Sequence, residues 1–250
     1  DVVSIIESTL DDPRQILMAQ QHAARGEAVA QMKADGIEYE ERMELLEEVT
    51  WPKPLEDLLV PAFETYREGH PWVSEFALSP KSVVRDMVEK AMTFAELVSH
   101  YGLARSEGLV LRYLADAYRA LRQTVPTEAR TDELEDLTEW LGELIRQVDS
   151  SLLDEWESLT DPGAESDDQQ VAFGADQPRP ISANTRAFRV MVRNAMFRRI
   201  DLASRRRWSE LEGLDDGIDA DEWEDQLAPY FEEYRAVGTG PTARGPHLFQ

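Results

Sequence analysis

Apolar residues along the first 160 positions recur every three or four residues, which is the spacing of one face of an α-helix. No segment of this half alternates apolar and polar residues as a half-buried β-strand would. The pattern predicts helices over residues 14–34, 38–49, 55–66, 82–92, 93–102, 107–124 and 132–159. We therefore expect residues 1–160 to form an all-α helical bundle.

Polar residues stand where several of these predicted helices begin. Thr93 is followed three positions later by Glu96, which is the spacing of a capping box, where each side chain binds the other residue's backbone N–H. Asp12 directly precedes Pro13, a combination typical of a helix start. Residues able to cap a helix also precede three further predicted helices, at Ser106, Thr131 and Ser182.

The pattern changes after residue 160. Residues 161–180 are rich in Pro, Gly, Asp and Gln, and they predict a mobile linker. Residues 181–250 predict a smaller, mainly helical piece, with a basic helix over 182–208 and a last helix over 220–234. The chain begins at Asp1 rather than at a Met and ends at Gln250 as if a strand were beginning. We therefore expect a region of a longer protein, with a truncated C-terminal piece.

Acidic residues outnumber basic residues by 50 to 26, which gives a net charge of −24. The imbalance is −18 over residues 1–160, −4 over 161–180 and only −2 over 181–250. A surface this acidic repels a phosphate backbone at long range. Nucleic acid would therefore have to bind at a local basic surface. The alternative interpretation of the acids is a solvated, solubilising surface.

Several kinds of catalytic site are excluded by the sequence. No Gly-Lys pair occurs, so there is no P-loop, and no Cys is present to form disulfides or thiolate metal sites. The four histidines lack the spacing of a metal triad. We expect no catalytic, cofactor-binding or metal-binding residue, and no ATPase activity from this chain alone. The absence of Cys, of a long apolar run and of a signal peptide predicts a cytoplasmic protein outside the membrane.

The first group of candidate nucleic-acid contacts lies on the helix pair predicted over residues 93–102 and 107–124. Two helices joined by a Gly-containing turn are also the pattern of DNA-reading helix–turn–helix proteins. The candidate residues are Arg105, Arg112, Arg119 and Arg122. The alternative is that these arginines form surface salt bridges with the abundant Glu side chains.

The second group lies on the basic helix predicted over residues 182–208, which holds eight Arg against the single acid Asp201. A helix of this charge is typical of phosphate contact. The candidates within it are Arg189, Arg193, Arg198 and Arg199. In the alternative, this helix packs against the acidic residues 209–250, and its arginines pair there with Asp219, Asp221, Glu222 or Glu224.

A family resemblance emerges at the helix pair. Residues 92–97, Glu107-Gly108, Arg112 and residues 121–123 resemble the C-terminal helical domain of exosome-associated DExH-box RNA helicases. The chain differs from that pattern at Leu109, and at residues 115–116, where the family has two arginines. More widely, residues 6–15, 48–54 and 147–156 look like a bacterial DEAD/DEAH-box helicase group that carries a C-terminal domain of unknown function.

This resemblance implies a parent protein with two RecA-like motor domains upstream, which use ATP and Mg²⁺ to move along RNA or DNA. The present chain would then be an accessory region that braces the motor and guides a single strand. The alternative function is a helical module that binds a protein partner without contacting nucleic acid. A helix–turn–helix transcription factor is a third hypothesis, opposed by the net charge of −18 around the motif.

Overall fold

The computed structural model describes residues 1–149, 151, 153, 182, 184–215, 217–240 and 243. Within these residues the protein contains α-helices and short 3₁₀ turns and no β-strand, which confirms the all-α prediction. The predicted linker over residues 161–180 lies outside the described residues. The division of the chain into a bundle, a linker and a C-terminal piece therefore stays a prediction.

Eleven α-helices are present in the described part of the chain. They are α1 (Val2–Thr9), α2 (Arg14–Ala34), α3 (Tyr39–Glu48), α4 (Glu56–Gly69), α5 (Val84–Glu89), α6 (Phe94–His100), α7 (Glu107–Thr124), α8 (Asp132–Val148), α9 (Thr185–Ser204), α10 (Trp208–Glu212) and α11 (Ala220–Glu233). Two 3₁₀ turns lie at Pro71–Val73 and Thr127–Ala129.

The hydrophobic core lies where α7 packs against α8. The apolar stripe predicted on α7 is buried, and Leu114 and Tyr118 are fully enclosed. On α8 the facing side chains include Leu141 and Ile145, which are also fully buried. Gly142 lets the two helices approach closely, because a Cβ added there would lie 2.7 Å from the Tyr118 ring. Helices α1, α5 and α6 close the remaining sides of this core.

A buried carboxylate attaches α1 to this core. Glu7 accepts hydrogen bonds from the backbone N–H groups of Val83 and Val84 at 2.8 Å and of Arg85 at 3.2 Å. It therefore satisfies the free N–H groups at the start of α5. Burial raises the pKa of the Glu7 carboxyl, and the hydrogen bonds that it accepts oppose that rise.

A buried ammonium group holds the segment that follows α1. Lys81 donates to the carbonyl oxygens of Leu10 and Ser79, each at 2.8 Å. Its Nζ also lies 3.0 Å from Asp12 Oδ1. Asp12 was predicted to cap α2, but the residue at that position is Pro13 and no side chain caps the helix. The Asp12 carboxylate pairs with Lys81 instead, because an enclosed ammonium requires a counter-charge.

Helix α9 packs along α8 in the most extensive helix–helix contact among the described residues. It buries Ala187, Asn194, Phe197 and Leu202 on the side that faces the bundle. Its cap is Asn184, whose side chain accepts from the backbone N–H of Ala187 at 3.0 Å. The predicted cap at Ser182 was therefore wrong, since the helix begins two residues further along the chain than expected.

Residues 21–79, all of which the structure describes, include no buried side chain. This stretch comprises most of α2, all of α3 and α4, and the 3₁₀ turn at Pro71–Val73. We call it the arm. At its base, Gln20 donates from Nε2 to the carbonyl of Ser82 at 2.7 Å, which brings the two ends of the arm together. The arm is therefore folded but lies outside the core.

Two predicted helix ends differ from the structure. The helix expected over residues 132–159 ends at Val148, because Asp149 is extended and its carboxylate accepts from the backbone N–H of Ser151 at 3.0 Å. Ser151 and Leu153 are helical again, and residues 154–159 lie outside the described residues. The basic helix expected to reach Trp208 ends at Ser204, and Arg206 there has a positive φ of 55°. Trp208 instead begins the short helix α10.

Candidate nucleic-acid interface

Helices α6 and α7 form the predicted pair, and local contacts fix the first of them. Thr93 Oγ1 accepts from the backbone N–H of Glu96 at 3.3 Å, and the Glu96 carboxylate accepts from the backbone N–H of Thr93 at 2.8 Å. The predicted capping box is thus confirmed. Gly102, with a φ of 63°, ends the turn after α6. Ser106 precedes α7 as predicted, but its hydroxyl makes no capping hydrogen bond.

The four candidate arginines around α7 divide into two kinds. Arg105 and Arg112 are exposed, and within the described structure neither forms a hydrogen bond or an ion pair through its guanidinium. Arg119 pairs with Asp116 at 3.1 Å. Arg122 lies 3.5 Å from Glu139 on α8 and donates to the Tyr118 hydroxyl at 3.1 Å. Only the first two arginines therefore remain available to an external anion.

Two of the four candidates on α9 form close ion pairs with acids. Arg193 pairs with Asp136 on α8 at 3.1 Å. Arg199 forms a two-pronged contact with Asp215, at 2.8 and 2.9 Å. That hydrogen-bonded contact holds the pKa of Asp215 below its ordinary value and raises that of Arg199. These pairs reduce the positive charge that α9 can offer to a phosphate backbone.

The remaining two candidates on α9 are Arg198 and Arg189. Arg198 has long ion-pair distances, 3.8 Å to Glu96 and 3.9 Å to Asp201. Arg189 is exposed and makes no ion pair within the residues that the structure describes. Together with Arg105 and Arg112, it is one of three candidates that no neighbouring acid neutralises.

The alternative interpretation paired the basic helix with residues 209–250, and one observed ion pair, Arg199 with Asp215, lies in that range. Pairs to Asp219, Asp221, Glu222 or Glu224 were expected, whereas the ion pairs described for α9 involve Glu96, Glu135, Asp136, Asp201 and Asp215. Asp219 is used differently, because its carboxylate accepts from the backbone N–H of Glu222 and caps α11. Helix α9 lies on α8, where Arg186 pairs with Glu135 and Arg193 pairs with Asp136.

A half-open cavity of about 180 Å³ lies between α6, α8 and α9. Met92, Trp140, Met191 and Leu214 supply its apolar lining, and Arg198 lies at its wall. The Nε of Arg198 is buried without a hydrogen-bond partner among the described residues. Sequence patterns did not indicate this cavity, because Trp140 and Met191 occupy ordinary helical positions. The charged residues that line it are Glu96, Arg198 and Arg199. Because Arg199 is paired with Asp215 and Arg198 lies near Glu96, the cavity offers little net positive charge to a phosphate.

Two further features are absent from the described residues. No three His, Asp or Glu side chains among them are grouped as a metal site would require. In that same part of the chain, no helix is both long and apolar enough to cross a membrane.

Comparison with known proteins identifies the family of the chain. Curated proteins and solved structures yield no match. A family model described as a domain of unknown function, DUF3516, matches residues 1–250. The match covers the bundle, the arm and the basic helix together. The chain therefore belongs to the DUF3516 family.

Proposed function

We propose that this domain is the C-terminal accessory region of an ATP-dependent RNA or DNA helicase, where it contacts a nucleic-acid single strand. The observation that carries the proposal is the exposure of Arg105 and Arg112 without an acidic partner among the described residues. Both belong to the helix pair whose residues resemble the helicase family. In a chain with 50 acids and 26 bases, most arginines can find an acidic partner. An exposed arginine that no acid neutralises can bind an external anion through its guanidinium group.

The strand contact is local, and its affinity depends on salt. The net charge of −24 repels a phosphate backbone from most directions, so the approach must be to the exposed arginines. For single strands, each neutralised phosphate makes the slope of log affinity against log salt more negative by about 0.7. Contacts by Arg105, Arg112 and Arg189 would therefore give a slope of about −2.

The motor, its ATP and its Mg²⁺ belong to the same proposal and lie in the parent protein. This chain has no Gly-Lys pair to hold phosphates, so its own residues would brace the motor and guide the strand. Purified chain should release no phosphate from ATP above the buffer background, with or without RNA or DNA. Nucleic-acid-stimulated turnover by the chain alone would contradict this assignment.

A titration of fluorescent single-stranded RNA and DNA oligomers at low salt tests the strand contact. Arg112→Glu should weaken binding and reduce the salt slope. Arg119→Glu is the matched control, because it makes the same charge change two turns away on the same helix, at a residue already paired with Asp116. Equal loss in both variants would indicate a non-specific charge effect. No binding by the wild type at low salt would favour the alternative function, a protein-interaction module.

A further inference from the structure

The arm carries large apolar side chains that the fold does not use. Residues 21–79 contain no buried side chain, yet Tyr39, Leu58, Tyr66, Trp72 and Phe76 are all exposed. Helices normally draw their stability from packing an apolar face, and α3 and α4 bury no residue. Exposed aromatic side chains on an element outside the core are typical of a surface that binds a partner.

Four rings at the end of α4 form an ordered cluster, which we call the aromatic cluster. The His70 ring stacks on Tyr66 with centroids 3.7 Å apart, and Trp72 meets the His70 ring edge-on at 5.0 Å. Phe63 extends the stack, 6.4 Å from Tyr66. The Nδ1 of His70 donates to the Tyr66 carbonyl at 2.6 Å, which fixes the imidazole against the helix end.

The cluster is preorganised and accessible. Trp72 is 71% exposed and Tyr66 is 49% exposed, although contacts with neighbouring rings already restrict both. A ligand that covers these rings would gain buried apolar area without having to order the side chains first. Trp and Tyr faces also attract ammonium and guanidinium groups through their π electrons.

The negative charge of the arm favours a positively charged ligand at the aromatic cluster. The arm holds thirteen Asp and Glu against five Lys and Arg, a net charge of −8. Glu75 comes three positions after Trp72, directly beyond the 3₁₀ turn, whereas Glu64 and Glu68 lie on the face of α4 opposite Tyr66. Arg67 is the only base on α4. Exposed aromatic faces on an acidic arm match the chemistry of an arginine or lysine side chain.

We propose that the aromatic cluster binds a basic segment of a protein partner, with arginine or lysine side chains against Trp72 and Tyr66 and close to Glu75. Phosphate backbones and anionic lipids carry the wrong charge for this surface. A second copy of the chain is a poor occupant, because most arginines on its basic helix are already paired. The inference is independent of the strand contact proposed above.

The test locates and measures binding in separate experiments. The probe is a twelve-residue peptide of alternating Arg and Ala, labelled with fluorescein for anisotropy. The protein carries 5-fluorotryptophan at its six Trp positions, and loss of one ¹⁹F resonance in Trp72→Phe assigns Trp72. We expect the Trp72 resonance to shift as the peptide saturates the anisotropy. Trp72→Ala should weaken binding about tenfold, the effect of one cation–π contact with its buried area.

Matched variants separate a defined site from general acidity. Glu75→Lys should weaken peptide binding, whereas Glu64→Lys, on the face of α4 opposite Tyr66, makes the same charge change and should weaken it much less. Both glutamates are exposed, so both variants should keep the wild-type circular dichroism. The proposal fails if the two variants lose equal affinity, or if Trp72 does not shift at saturation. It also fails if a Glu-Ala peptide or phosphatidylcholine vesicles shift Trp72 equally.

Discussion

The carboxylate of Glu7 accepts a hydrogen bond from the hydroxyl of Tyr113 at 3.0 Å, and this contact joins α1 to α7 across 106 positions of the chain. The same carboxylate caps the N-terminus of α5. Three helices therefore meet at one buried side chain. Burial and the adjacent carboxylate raise the pKa of Tyr113 well above its ordinary value, so the hydroxyl stays protonated and continues to donate.

Replacing Glu7 should be costly. Glu7→Ala leaves three backbone N–H groups and the Tyr113 hydroxyl without an acceptor, and it should lower the free energy of unfolding by about 3 kcal/mol or more. Urea unfolding followed by circular dichroism measures the change. Glu128→Ala, at an exposed position in a 3₁₀ turn, is the control and should stay within about 0.5 kcal/mol of the wild type. Equal, small effects in both would contradict the buried cap.

The two polar residues before α6 and α7 give a paired test of capping. Thr93→Ala removes the capping box and should cost about 1 kcal/mol. Ser106→Ala should change the stability much less, since the Ser106 hydroxyl makes no capping hydrogen bond. Thermal unfolding of the two variants under the same conditions checks this difference. A Thr93→Ala transition that coincides with the wild type would show that this cap is not formed in solution.

A methyl group added at Gly142 should disrupt the contact between α7 and α8. Its Cβ would lie 2.7 Å from Cε2 of the buried Tyr118 ring, so Gly142→Ala should lower the melting temperature despite the better helix propensity of Ala. A Cβ added at Gly26 in α2 would have nothing within 4 Å, and Gly26→Ala should instead gain up to about 1 kcal/mol. Differential scanning calorimetry separates the two. A stabilised Gly142→Ala protein would mean that α7 and α8 approach less closely in solution.

Ionisation of Tyr101 should weaken the fold at high pH. Burial, followed by the neighbouring Asp86 carboxylate, raises the pKa of Tyr101 to about 12. The unfolded chain ionises near pH 10, so the stabilisation is fully present below about pH 10 and is lost as the pH rises toward 12. Urea midpoints measured across this range should fall more steeply for the wild type than for Tyr101→Phe. Parallel curves for the two proteins would contradict the raised pKa of Tyr101.

The arginines of α9 should respond differently to charge reversal. Arg199→Glu places a carboxylate against Asp215, and it should lower the melting temperature. Arg189→Glu should leave the melting temperature unchanged, because Arg189 is exposed and outside the described ion pairs. Adding Asp215→Arg to Arg199→Glu should restore part of the loss. Failure of that restoration would indicate that the direct pair contributes little.

Sequence periodicity predicted the helices that bury a continuous stripe of apolar side chains. The Leu and Tyr positions of α7 and the Leu positions of α8 are helical and face the core, and Thr93 and Thr131 cap their helices. Helix ends were less predictable, as at Val148, because α8 stops where the Asp149 carboxylate accepts hydrogen bonds from the backbone N–H and the hydroxyl of Ser151.

Long-range contacts could not be predicted from the pattern. Nothing near Glu7 in the chain indicates that it caps a helix that begins at residue 84. The pairing of Arg193 with Asp136 likewise depends on how α9 lies on α8, which periodicity does not specify. The exposed arginines near α7 were found because charge and spacing are local properties. The aromatic cluster was missed because its four rings become neighbours only through the turn after α4.

The hydrogen bond from Gln20 to Ser82 has a consequence for how this family can vary. It closes the core beneath residues 21–79, so this stretch is topologically an insertion whose two attachment points already touch. The entropy of closing such an excursion grows only with the logarithm of its length. Insertions and deletions between these points should therefore be tolerated by the bundle, leaving the arm free to change its length and binding preference while the helices beneath it stay the same.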